Sequence, residues 1–156
     1  MLKWILTVAG TSFADLAAKH YVHSSYKIGE EKTAAQGNIV ITRYENKGAM
    51  LGLLKDNQDV LKWLSAAGLG ASAASLRSSV AHRRPWAEKL GMALLTGGAI
   101  SNVGERTVRG CVTDYFRFPK APKTLSKIVF NLGDIAIFAG IFLSIAGDIH
   151  SKIKNK

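Results

Sequence analysis

The chain has 156 residues, of which 47% are hydrophobic and 21% charged, with a single Cys and a formal net charge of +10. That apolar content excludes intrinsic disorder, and one Cys excludes both an internal disulfide framework and a cysteine-rich zinc site. An excess of 21 Lys and Arg over 11 Asp and Glu points to an anionic partner, either nucleic acid or a lipid headgroup surface. The length fits one domain spanning 1–156.

The distribution of charge decides more than its sum. Trp4–Val22 carries only Asp15 and Lys19; Trp63–Leu76 and Leu90–Gly104 carry none; Ile128–Gly147 carries only Asp134. The last of these is apolar around its whole circumference, and a chain this short cannot bury several such helices in a soluble core. Four membrane-spanning helices are therefore expected, at 2–22, 60–80, 87–105 and 128–148, each long enough for a hydrocarbon core of ~30 Å. A signal peptide ending near Ser12-Phe13-Ala14 is the competing reading of the first segment; the apolar pattern running on toward Val22 disfavours it.

Three sets of small residues at a spacing of four predict close helix packing: Ala66/Gly70/Ala74, Ala93/Gly97/Ser101 and Ala136/Gly140. Between the first two spans, Asn38-Ile-Val-Ile-Thr-Arg-Tyr follows a Gly37-Asn38 turn signal and predicts a short strand. The short basic connection with Arg77, His82, Arg83 and Arg84, and the tail with Lys152, Lys154 and Lys156, are expected on the cytoplasmic side, with both termini. Trp4, Trp63 and Trp86 fall near span ends, where aromatic anchors are expected, and the basic stretches suit anionic phospholipid.

Polar groups at membrane depth need a reason. Asp15 and Lys19 stand four apart on one helical face and are expected to pair structurally. Asn102, Asn131 and Asp134 complete the set within the spans; Asp114 lies in the preceding connection, twenty residues before Asp134, and the intervening loop is long enough to fold back and bring both carboxylates to one membrane face. Two neighbouring carboxylates share a proton, so that one activates a water while the other polarises a carbonyl; that chemistry needs no metal or cofactor. Spacing alone leaves this pairing one option among several, beside two unrelated surface groups. Cys111 and the four His form no nucleophilic pair, and His20 with His23 lack a third metal ligand. No phosphate-binding glycine motif is present.

Four blocks resemble the lipoprotein signal peptidase (signal peptidase II) family: Asp15-Leu-Ala-Ala-Lys19; Glu45-Asn46-Lys-Gly48-Ala49-Met-Leu-Gly52; Gly97-Gly98-Ala-Ile-Ser-Asn102-Val-Gly-Glu105-Arg106 continuing to Gly110-Cys-Val-Thr-Asp114-Tyr; and Phe130-Asn131-Leu-Gly133-Asp134-Ile-Ala-Ile. They stand in family order across nearly the whole chain. The resemblance implies an all-α membrane protein with four spans, a small extramembrane β region and a surface helix. It implies an aspartic endopeptidase that removes signal peptides from prolipoproteins, cutting before a diacylglyceryl-modified cysteine near the outer face of the bacterial cell membrane. Asp114 and Asp134 match its catalytic pair, and Asn46, Gly48, Asn102, Arg106 and Asn131 its substrate-binding and supporting residues. No cofactor, metal or nucleic acid is implied, and a monomer is expected. This chain departs from the family at Glu105 (usually Asp), Ser101 (usually Gly), Gly133 (usually Ala) and Met50 (usually Phe). The rival readings are a small non-catalytic membrane protein with Asp134 as an ion or proton site, and a soluble basic domain that binds nucleic acid.

Overall fold

The computed structural model describes residues 1–49 and 53–154. Met50 and Gly52 of the second block, and Lys156 of the tail, lie outside the described residues.

Four long helices carry the chain: α1 (Leu2–Ser25), α2 (Gln58–Ala81), α3 (Trp86–Arg109) and α4 (Leu132–Lys154). The first three have 24 residues and the last 23, so each is about 35 Å long at 1.5 Å per residue. Only α4 among the described residues is both long and apolar enough, by composition, to cross a membrane. The other three spans expected from sequence match helices of spanning length but lower hydropathy, and each of them carries buried polar groups. These are Asp15 and Lys19 on α1, Ser72 and Ser79 on α2, and Thr96, Ser101, Asn102, Glu105 and Arg106 on α3.

Helix α3 is central and packs against the other three. Its contact with α4 is backbone to backbone: a Cβ at Gly98 would collide with the Gly133 carbonyl, and one at Gly140 would lie 2.6 Å from the Gly91 carbonyl. Gly97 meets α1 in the same way, at Val8 and Thr11. Two of the predicted small-residue stripes thus pack. The third does not: Ala66, Gly70 and Ala74 are exposed, and α2 instead turns Leu61, Ser72 and Ser79 inward. The period of four is real, but α2 meets α3 through its serines instead: Ser72 Oγ accepts from Thr96 Oγ1 at 3.3 Å, and Ser79 Oγ donates to Glu88 at 2.6 Å.

A three-stranded antiparallel sheet sits at one end of the helices, in the order β1 (Glu31–Ala34), β2 (Ile39–Asn46), β3 (Val112–Arg117). Strand β2 begins one residue later than the predicted strand and runs two residues further, to Asn46, and Tyr44 stands opposite Asp114. Strand β3 was not expected; Val-Thr-Asp-Tyr-Phe-Arg has the β-branched and aromatic content of a strand. Gly110, at φ 73°, ends α3 in the left-handed conformation and turns the chain directly into it. On the other side of β3, Phe130 pairs with Phe116, its N–H donating at 2.7 Å. That pairing corrects the start of the last helix: residues 128–131 are extended or capping, and α4 begins at Leu132 rather than at 128. The surface helix implied by the resemblance is absent among the described residues, which have only single 3-10 turns at Ala35–Gly37 and Leu125–Lys127 outside the four helices. Trp4 is also corrected. It is buried, 6.4 Å from the Trp86 ring between α1 and α3, rather than set at a lipid interface; Trp63 and Trp86 are exposed.

Candidate active site

The sheet end of α3, the start of α4 and strand β3 converge. Asp114 reaches this point because β3 alternates: Asp114 faces one way and Tyr115 the other. Asp134 reaches it as part of a helix start. Asn131 caps α4 by accepting the Asp134 N–H at 2.8 Å on Oδ1, and the Asp134 carboxylate accepts the Asn131 N–H at 3.2 Å on Oδ2. This is a reciprocal capping box, with Asp in the place that Glu or Gln usually fills. Asp134 is therefore fixed in rotamer by the same bonds that begin its helix.

Asn131 also joins the two acids. Its Nδ2 donates to Asp114 Oδ1 at 2.7 Å, while its own Oδ1 and N–H serve Asp134. Asn46 Nδ2 donates to Asp114 Oδ2 at 2.9 Å, and Asn102 Nδ2 donates to Asp134 Oδ1 at 2.9 Å. Each amide is oriented by a donor on its oxygen: the Gly48 N–H on Asn46 at 3.0 Å, the Asp134 N–H on Asn131, and Lys19 Nζ on Asn102 at 2.6 Å. Three amide groups are thus turned so that only N–H faces the carboxylates. Burial, and then the neighbouring Asp134 carboxylate, push Asp114 up to about 7. A carboxyl that holds its proton near neutrality beside a second acid is the arrangement that one-proton catalysis requires.

Both acids line a cavity of about 880 Å³ between α2, α3 and α4. Its polar end holds Asn46, Gly48, Asn102 and Arg106; its other walls are apolar, among them Leu69, Leu95, Ile137 and Ile141. Arg106 is buried, donates through Nη2 to the Gly48 carbonyl at 2.8 Å, and has no partner for its Nε. It thereby ties the loop after β2 to α3 and still offers N–H groups to the cavity.

Asp15 and Lys19 pair at 2.7 Å with almost no exposure and stand behind the acids. Asp15 also accepts from Ser101 Oγ at 2.6 Å and Tyr115 Oη at 3.0 Å. Burial and the Asp15 carboxylate raise the Tyr115 phenol far above its usual range, so it stays a donor. Its oxygen accepts the Leu132 N–H at 2.9 Å. Glu105 accepts the Thr113 N–H at 2.9 Å and its hydroxyl at 2.6 Å, and pairs with Arg109 at 2.9 Å and Lys19 at 3.4 Å. The longer side chain at this position bonds β3 to α3 one residue from Asp114.

Every site residue expected from sequence therefore falls in one connected set. Sequence reasoning missed Tyr115, Thr113 and Ser101. The only signal for Tyr115 was its alternation with Asp114 in a strand, and Ser101 stood out only as a departure from the family. Cys111 is buried, its thiol pushed up by burial, and His82 and His150 lie at the far end of the helices.

Comparison with known proteins gives one consistent picture. A family model described as "Signal peptidase (SPase) II" matches residues 7–149. The chain is 30% identical to a lipoprotein signal peptidase of Gloeobacter violaceus over 150 residues, covering 96% of this chain and 82% of that one. It is 33% identical to a lipoprotein signal peptidase of Nostoc punctiforme over 135 residues, covering 86% and 82%. A solved structure described as a bacterial membrane enzyme superposes with a TM-score of 0.85 at 21% identity, covering 100% of this chain and 93% of that one, which is a likeness of fold.

Proposed function

The chain belongs to the signal peptidase II family, and we propose that Asp114 and Asp134 are the catalytic pair of its aspartic protease activity. Its activity is that of the lipoprotein signal peptidases it resembles, and in this reading it removes the signal peptide from a diacylglyceryl-modified prolipoprotein, cutting before the lipidated cysteine. The observation that carries the assignment is the shared bridge, Asn131, which bonds both carboxylates at the polar end of one cavity.

The chemistry follows from that arrangement. One carboxylate is ionised and takes a proton from a water held between the acids; the other, protonated, donates to the scissile carbonyl oxygen. The water oxygen bonds to the carbonyl carbon, and the tetrahedral intermediate collapses when the leaving amine receives a proton from the pair. Asn46, Asn102 and Asn131 keep the acids oriented, and Arg106 with Gly48 shapes the polar end where the peptide lies. The apolar walls suit the acyl chains of the substrate.

A membrane location goes with the family, and we read all four helices as spans. Their lengths support this, as do outward apolar side chains such as Leu6, Phe13, Leu64, Phe142 and Ile145. In this reading both termini and the basic 82–84 turn are cytoplasmic, in contact with anionic phospholipid, and the site lies at the outer face. We read the enzyme as a monomer; both acids come from one chain, so the pair needs no second copy to be complete. An ion carrier using Asp134 accounts for one acid and leaves the second without a purpose.

The test is cleavage of a diacylglyceryl-modified precursor in detergent, beside the unlipidated precursor. The parent enzyme is expected to cut only the former. Asp114→Asn and Asp134→Asn are each expected to lower kcat at least 1,000-fold while remaining folded in membranes. Normal processing by either variant refutes the pair.

A further inference from the structure

Asp15 and Lys19 are buried behind the site, and neither lines the cavity that holds the acids. A salt bridge within one helix explains part of this arrangement. It does not explain where the remaining ammonium protons go. Lys19 Nζ lies 2.7 Å from Asp15 Oδ2, 3.1 Å from Ser101 Oγ and 2.6 Å from Asn102 Oδ1. An ammonium has three donors, and these three neighbours are the nearest acceptors, with the Glu105 carboxylate farther off at 3.4 Å and held by Arg109 as well. The shortest of these bonds leaves helix α1 and ends on an amide whose other end faces Asp134.

That bond has a chemical consequence. A free Asn102 side chain can turn either its oxygen or its NH2 toward Asp134. With the oxygen claimed by a full positive charge, only the NH2 orientation leaves no lone pair against a lone pair. Asn46 and Asn131 are oriented by backbone N–H groups, which the chain always carries. Asn102 alone is oriented by a side chain that mutation can remove.

Resting on the assignment of Asp134 to the catalytic pair, we propose that Lys19 is a positioning residue of the reaction, acting through Asn102 to keep an N–H donor on Asp134. Asp15 serves the same end from the other side. It holds Lys19, and through Tyr115 Oη it reaches the Leu132 N–H at the first turn of the helix that carries Asp134. The two arms close around the start of α4, and the pair on α1 sets the geometry of an acid on another helix.

The experiment is a double-mutant cycle between positions 19 and 102, read as kcat and KM for the lipid-modified precursor. Lys19→Met is made together with Asp15→Asn, which leaves no carboxylate at position 15 buried alone and keeps a side-chain oxygen to accept from Tyr115 Oη, so that the cycle reads the Lys19 arm only. On the parent background this change is expected to lower kcat 10- to 100-fold, with KM within threefold. On an Asn102→Ala background the same change is expected to lower kcat less than threefold. A full loss on both backgrounds, or a loss of kcat that only tracks the loss of folded protein, overturns the proposal. Where Asn102→Ala cleaves too slowly to measure, hydrogen exchange of the Asn102 side-chain amide decides, compared between the parent and the Lys19→Met, Asp15→Asn protein: at least tenfold faster exchange in the latter supports the proposal, and unchanged protection overturns it. Asp134→Asn in the same series tests the catalytic pair by itself, whatever Lys19 does.

Discussion

Raising the pH of the folded enzyme from 4 to 8 is expected to weaken it by an amount that the surroundings of Asp114 set. A free aspartate titrates near ~3.9, whereas burial and the adjacent Asp134 carboxylate push Asp114 up to about 7. Between those two values the folded chain holds a proton that the unfolded chain has released. Unfolding free energy therefore falls as pH rises through the window and is level above about 7. A gap of about three pH units corresponds to about 4 kcal/mol at ~1.4 kcal/mol each. Asp114 is 2% exposed, so solvent screens little of this. The assay is chemical unfolding in detergent at pH 4 to 8, for the parent and for Asp114→Asn. The substitution also disturbs the amides of Asn46 and Asn131, but that offset is common to all pH values. The difference between the two proteins is expected to change by about 4 kcal/mol across the window, in favour of the variant at high pH. Under the proposed mechanism, taken with Asp114 as the acid that donates to the carbonyl, activity carries the same signature: kcat of the parent falls as pH rises through about 7. A difference that stays constant within about 1 kcal/mol from pH 4 to 8, or cleavage at full rate at pH 9, refutes the reasoning.

Two substitutions test the packing around the pair. Gly133→Ala introduces the residue usual in the family, yet its Cβ would lie 2.8 Å from Asp15 Oδ2, 3.0 Å from Asn131 Oδ1 and 3.1 Å from Asn102 Oδ1. Those oxygens hold the network together, so kcat is expected to fall about 10-fold or more while the protein remains folded, as cleavage and melting measured side by side will report. Gly98→Ala forces α4 away from α3 at the Gly133 carbonyl, and is expected to cost about 1–3 kcal/mol in detergent unfolding, with activity falling in step.

The sequence made the helices visible because long apolar runs bounded by charge leave few alternatives, and α1, α2 and α3 match their expected ranges within four residues at each end. What it concealed was set by contacts between distant segments. Strand β3 exists because β2 and Phe130 pair with its two edges, and nothing within 112–117 announces either partner. The start of α4 moved to Leu132 for the same reason: Ile128–Phe130 are as apolar as the helix, and pairing with β3 overrode the pattern. On α2 the stripe of small residues suggested a packing face, whereas the fold buried the serine side. The acids themselves were legible as charges at costly depth, and the blocks around them carried the family. The hydrogen-bond wiring between them was not legible, since the orientation of an asparagine amide is decided by a neighbour 83 residues away.

Helix α4 cannot begin without placing its acid. The capping bonds between Asn131 and Asp134 form when the first turn winds, and Asp114 is reached only once Phe130 has docked on the sheet edge. Under the proposed assignment, a chain whose last helix is unformed has no assembled pair of acids and is inert toward neighbouring polypeptides, so that proteolytic competence arrives only with completion of the architecture.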